Sequence, residues 1–191
     1  MDWKEIIQLA ALLTGIPYIV LEILQKRAMW IIGFITGAAC AVAFAADMNW
    51  GQMGLNIYYV VMSAVGLYSW KKDAEKAGKG VIHLRPLSKK TALWSAVGFV
   101  FGSVALAFVL RILGDGVSTL DAAATVLSII GTIWLARSIP QQWILWIVAD
   151  VMTSALCFMQ GNVWMGILYV GYILSAVYGY FHWIKKGKEV Q

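Results

Sequence analysis

Seven stretches of this chain, at 6–24, 30–46, 52–70, 91–114, 120–136, 143–160 and 163–184, are apolar on every side and are joined by short polar segments. Each is about long enough to cross a hydrocarbon core of ~30 Å as a helix. Closed strand barrels are the other structure that can satisfy its backbone inside lipid, but their strands alternate apolar and polar residues over short segments. No such alternation runs through these stretches, so the pattern predicts seven transmembrane helices in an all-α integral membrane protein.

The pattern also repeats. Gly15, Trp30, Met53-Gly54, Ser63-Ala64-Val65 and Gly66…Trp70 recur as Gly131, Trp146, Met165-Gly166, Ser175-Ala176-Val177 and Gly179…Trp183, with a few residues of loop shortening. Two three-helix units are therefore expected, at 6–70 and 120–184, with a connecting helix at 91–114 between them. Three spans reverse the direction of the chain, and a fourth restores it, so the two units enter the membrane from the same side. This is a 3+1+3 parallel-repeat architecture, SWEET-like in plan, and duplicated units of this kind form a transport site between them near the bilayer midplane. Residues 71–90 are rich in Lys, Glu and Gly and read as a solvated cytoplasmic linker. Residues 185–191 form a cytoplasmic tail.

Composition agrees with the lipid bilayer as the surroundings: 61% of residues are hydrophobic and 13% charged. Charge adds orientation. Lys26, Arg27, Lys71, Lys72, Lys76, Lys79, Arg85, Lys89, Lys90, Arg137, Lys185, Lys186 and Lys188 fall on one side of the seven-span arrangement, and only Lys4 and Arg111 on the other. The positive-inside bias places the C-terminus in the cytoplasm and the N-terminus outside. These basic residues lie in short membrane-edge loops, which does not suit nucleic-acid binding. The first span has no basic n-region or cleavage site and reads as a retained helix. Cys40 and Cys157 lie within spans and read as small apolar residues.

Catalytic signatures are missing from the sequence: there is no His-Glu-x-x-His, Cys-x-x-Cys, Gly-rich phosphate loop or Gly-x-Ser-x-Gly. No enzyme, metal site or cofactor is expected. A retinal protein would need a lysine in the middle of its last span, whereas Lys185 and Lys186 lie beyond it. The informative groups are the polar ones set in hydrocarbon, where an ionisable side chain costs roughly 2.5 kcal/mol or more and so marks a functional position. Asp150 is the clearest, about two turns inside the sixth span. Trp143 and Trp146 share its helical face, and a carboxylate below two indoles suits an organic cation. Asn56 and Tyr59 in the third span, Tyr169 and Tyr172 in the seventh, and Thr36 in the second are further candidates for lining a substrate site. Ser63, Ser128 and Ser175 are able to bond to the preceding helical turn. Glu22, near the end of the first span, reads as reaching water or pairing with Lys26. Pro17 and Gly15 predict a kink in that span, and Gly33-x-x-x-Gly37 permits close helix contact.

These residues resemble a known family, the Pnu vitamin transporters. The likeness runs through Leu21-Glu22, Met29-Trp30 and Gly33, through Met53-Gly54…Tyr58-Tyr59…Gly66-Leu67-Tyr68-x-Trp70, and through Trp143-x-x-Trp146-x-x-x-Asp150 and Gly179…Trp183. It implies uptake of a water-soluble vitamin across a bacterial-type inner membrane, by facilitated diffusion with capture by cytosolic phosphorylation, and it allows a homotrimer. Carriers of nicotinamide riboside in this family resemble an amide-rich pattern, with Asn where this chain has Asp150 and Gln where it has Asn56. Thr36 and Ser63 also stand where amides are common. The early Leu-Glu…Met-Trp and Asn-x-Tyr-Tyr-Val-Val segments look more like the thiamine-carrying, PnuT-like branch. The expectation is therefore a carrier of a cationic B vitamin, with thiamine favoured over nicotinamide riboside and a SWEET-type sugar facilitator as the more distant reading.

Overall fold

The computed structural model describes residues 15–46, 48, 50–77, 81–112, 119–161 and 163–190. The first helix, α1, is described over residues 15–23. It is followed by α2 (Ala28–Ala46), α3 (Trp50–Ala77), the strand β1 (Ile82–Leu84), α4 (Lys89–Ile112), α5 (Thr119–Ala136), α6 (Gln142–Met159), α7 (Val163–Lys186) and the strand β2 (Gly187–Glu189). Five of these helices, α2, α4, α5, α6 and the main part of α7, are long and apolar enough to cross a membrane. The third, α3, has 28 residues but carries Lys71, Lys72, Asp73, Glu75 and Lys76 in its last turns. The protein is a helical membrane protein.

The chain divides into two compact units, Met1–His83 with Val190, and Leu84–Glu189 with Gln191. In the first, α2 packs along α3; in the second, α5 packs on α6, α6 on α7, and α4 on α5. Leu84, the first residue of the second unit, is the last residue of β1.

Each unit builds the same local structure, and the equivalent positions lie a constant 113 residues apart. The first helix of each unit ends on a residue with left-handed backbone, Gln25 (φ 49°) in one and Ser138 (φ 57°) in the other. Both ends are Schellman caps: Lys26 N–H donates to the Leu21 carbonyl (2.7 Å) and Gln25 N–H to Glu22 (2.9 Å), as Ile139 does to Trp134 (2.9 Å) and Ser138 to Leu135 (2.9 Å). The next turn repeats too, with Met48 (φ 55°) matched by Gly161 (φ 75°).

Packing follows the same register. Trp30 is fully buried against Gly66 and meets Trp70 edge-on, with centroids 5.2 Å apart at 77°. Trp143 is buried against Gly179 and meets Trp183 at 5.5 Å and 86°. A glycine on one helix admits an indole from the next, and in lipid such close fitting supplies the helix association that hydrophobic burial cannot. Trp30 thus corresponds to Trp143, which corrects the sequence-based match with Trp146: a run of identical letters aligned there, and the backbone turns do not follow it.

The units differ where Trp146 stands. Its equivalent in the first unit is Gly33, and across from Gly33 lies the ring of Tyr18, 3.1 Å from where a Cβ would be. In the second unit the small residue is Gly131, the equivalent of Tyr18, and the Trp146 ring fills the space, 3.4 Å from its would-be Cβ. The large and small partners have changed sides.

Polar groups close the ends of the helices. The Gln25 amide grips the His83 backbone, donating from Nε2 to its carbonyl (2.9 Å) and accepting its N–H at Oε1 (2.7 Å). In the second unit, Arg85 N–H donates to the Ser138 carbonyl (3.0 Å). Residues 71–90, expected as a solvated linker, include both regular structure and buried residues. Helix α3 continues to Ala77, and Ile82, His83 and Leu84 are all buried. Lys71, Lys72, Glu75, Lys76, Ser88, Lys89 and Lys90 of this segment are exposed, whereas Asp73 and His83 are buried. Glu22 is buried as well, 5% exposed, against the expectation that it reaches solvent. Gly33 and Gly37 do permit close contact, with Ser63 and Val60 respectively. The kink expected at Pro17 falls at the edge of the described residues.

Candidate functional site

The carboxylate of Asp150 sits in the middle of α6, 8% exposed. Among the described residues it forms no hydrogen bond. Tyr169 and Tyr172 lie on α7, the helix that packs along α6. Their rings meet at right angles, 5.7 Å apart. Helical spacing explains the constellation: Tyr169 and Tyr172 are three residues apart and share one face of α7, and α6 packs along α7. Ser154, one turn further along α6, ties the pair together by donating to the Gly166 carbonyl (3.0 Å).

Trp146 lies one turn before Asp150 on the same face, half-buried, with its ring against Gly131. Its indole N–H is enclosed and has no hydrogen-bond partner among the described residues. Chemically, this part of the second unit offers one acid, two phenolic hydroxyls and an indole with a free donor. An aromatic cation could stack on the indole and be neutralised by the carboxylate, with the phenols as hydrogen-bonding partners.

Trp143 belongs elsewhere. At 2% exposure, enclosed by Gly179 and Trp183, it is a packing residue at the start of α6 and the counterpart of Trp30. The i, i+3, i+7 pattern that joined it to Trp146 and Asp150 specifies a helical face and not the depth to which each side chain is covered. In the first unit Thr36, Asn56 and Tyr59 are half-buried. Asn56 lies on α3 opposite Gly37 of α2, its backbone carbonyl 3.5 Å from the would-be Cβ of that glycine. Tyr59 is the counterpart of Tyr172, packs at 5.6 Å against Tyr58, and lies within electrostatic reach of Tyr18. Ser128 and Ser175 donate to the carbonyls of Ala124 (3.0 Å) and Gly171 (2.9 Å), the back-bonding expected of them. Gln25, Asp73, His83 and Gln142 are buried polar groups that the sequence reading passed over, because each lies near a span edge where a polar letter normally signals water; half-buried Tyr18, within the first span, was passed over too.

The chain is similar to known transporters over nearly its whole length. A nicotinamide riboside transporter PnuC of Neisseria mucosa is 29% identical over 189 residues, covering 94% of this chain and 72% of that protein. The nicotinamide riboside transporter PnuC of Escherichia coli is 23% identical, covering 99% and 88%. A riboflavin/roseoflavin transporter RibM of Streptomyces davaonensis is 24% identical, covering 83% and 76%. A crystal structure of the vitamin B3 transporter PnuC superposes with a TM-score of 0.72 at 28% identity, covering 92% of this chain and 79% of that one. The family described as nicotinamide mononucleotide transporter matches residues 5–185. With seven helices among the described residues, a vitamin-transporter likeness in sequence and fold, and a match of that extent, the chain belongs to the nicotinamide mononucleotide transporter family.

Proposed function

We propose that this protein carries nicotinamide riboside across a bacterial-type inner membrane by facilitated diffusion, with Asp150 as the counter-charge to the pyridinium ring. Asp150 is the observation that carries the reading: an ionisable side chain nearly enclosed in an apolar helix, packed along the helix that carries Tyr169 and Tyr172, and one turn from an enclosed indole N–H. Trp146 offers the stacking face and Tyr169 and Tyr172 the hydroxyls. The relatives named for nicotinamide riboside and the vitamin B3 transporter structure support this substrate over thiamine. The preference for thiamine rested on Asp150, Asn56, Thr36 and Ser63 standing where nicotinamide riboside carriers resemble an amide-rich pattern, and on Leu21-Glu22, Met29-Trp30 and the Asn56-x-Tyr58-Tyr59-Val60-Val61 segment. Met29, Trp30 and Glu22 are buried in packing, and Val60 seats Gly37, so those letters record how the first unit is packed rather than what it binds. The 3+1+3 arrangement and the outward N-terminus are part of the same proposal.

Nicotinamide riboside and its reduced, uncharged dihydro form separate charge from shape. Asp150→Asn is expected to weaken binding of the cationic form about ten- to hundredfold, the scale of a lost charged hydrogen bond, and to leave the dihydro form nearly unchanged. Calorimetry on purified protein measures both. Stronger binding of thiamine than of nicotinamide riboside, or an Asp150→Asn variant that treats the two forms as the wild type does, overturns the proposal.

A further inference from the structure

A groove of about 400 Å³ runs between the start of α4 and the end of α5, remote in sequence from Asp150. Lys90, Thr91, Trp94, Ser95 and Gly98 line one wall, and Ile130, Ile133, Trp134 and Arg137 the other. Its two ends differ in chemistry. Lys90 and Arg137 stand at the helix termini, exposed and with no ion-pair partner among the described residues, and no carboxylate lines the groove. Deeper, from Trp94 and Ser95 to Gly98 and from Trp134 back to Ile130, the walls are apolar except for Ser95. The Trp134 indole donates to Ser95 Oγ (3.0 Å), which leaves the serine proton free to donate. Eight residues of helix separate Lys90 from Gly98, so the groove descends about 12 Å from the basic edge into the apolar zone.

We infer that this groove is a binding site for an anionic phospholipid, with Lys90 and Arg137 on the phosphate and the cleft between Trp94, Gly98 and Ile130 on the glycerol and upper acyl chain. Charge complementarity selects the headgroup: two cations without counter-ions, at the depth of lipid phosphates, next to an apolar channel that continues along the acyl chain. Trp94 is mostly exposed, as an interfacial indole beside lipid is. A soluble anion would be held by the cations but would leave the apolar part of the groove unused.

The test is native mass spectrometry of detergent-purified protein titrated with phosphatidylglycerol or phosphatidylcholine. Wild-type protein is expected to retain phosphatidylglycerol preferentially. Each basic residue contributes about fivefold to that preference, so Lys90→Gln with Arg137→Gln should lower it about thirtyfold. Both side chains are exposed, and unchanged thermal unfolding of the double variant confirms that the fold is intact. Gly98→Leu tests the apolar part independently: Gly98 lines the groove and a Cβ there meets nothing within 4 Å, so a larger side chain starts in open space, and unchanged thermal unfolding checks the fold. The variant should reduce retention of phosphatidylglycerol with both cations present. Equal retention of phosphatidylcholine, full displacement by millimolar inorganic phosphate, or variants that bind as the wild type does each overturn the inference.

Discussion

A methyl group on Gly179 would lie 2.6 Å from the Trp143 ring, and one on Gly66 would run into the Trp30 ring, whereas one on Gly131 would make ordinary contact with Trp146 at 3.4 Å. Gly66→Ala and Gly179→Ala are therefore expected to destabilise by about 1–3 kcal/mol through overpacking. Gly131→Ala should be close to neutral. Thermal unfolding in detergent separates the three, and Trp30→Phe should recover part of the Gly66→Ala loss. Residue by residue, the sequence reveals its chemistry unevenly. Asp150 stands out because an acid in hydrocarbon has few structural explanations. Trp143 and Trp146 are indistinguishable by spacing, and only the glycine facing each one, Gly179 pressing tightly and Gly131 loosely, tells the wedge from the half-open ring. Asp73 and His83 are invisible in the letters, since polar residues beside Lys71, Lys72 and Lys76 look like a solvated loop until the strand Ile82–Leu84 is seen to be buried.

At the scale of elements, the two Schellman caps make a paired prediction. Gln25 and Ser138 both hold left-handed backbone, which costs a side-chain-bearing residue roughly 1–2 kcal/mol relative to glycine. The Ser138 hydroxyl has no partner among the described residues, so Ser138→Gly should keep or raise the unfolding temperature. Gln25→Gly relieves the same backbone but removes the amide that holds the His83 N–H and carbonyl. It should lower stability by about 1–3 kcal/mol, the cost of leaving buried groups unpaired. Hydrogen exchange at the His83 amide should quicken in Gln25→Gly and stay slow in Ser138→Gly. Helix positions were legible from apolar runs, because every span must be covered by apolar side chains whatever it packs against. The repeat was legible too, but its register was not. Neither Gln25 nor Ser138 is the glycine or asparagine that normally announces a left-handed cap, so the alignment followed Gly15, Gly131, Trp30 and Trp146 instead.

For the molecule as a whole, facilitated diffusion predicts that nicotinamide riboside equilibrates across proteoliposomes at the same rate with or without a proton ionophore; a rate that collapses with the ionophore would require coupling. A cysteine introduced at position 188 should resist impermeant reagents in whole cells, and labelling there would reverse the assigned orientation. The exchange of Tyr18 facing Gly33 for Gly131 facing Trp146 has a further consequence, for how the paired positions depend on each other. Shrinking the half-buried large partner first gives up its contacts with the facing helix, and enlarging the small one to a full aromatic first forces an overlap, so each single change is expected to cost stability. A Trp146→Gly variant is therefore expected to regain part of its lost stability when Gly131 is enlarged as well, and thermal unfolding of the single and double variants measures that coupling.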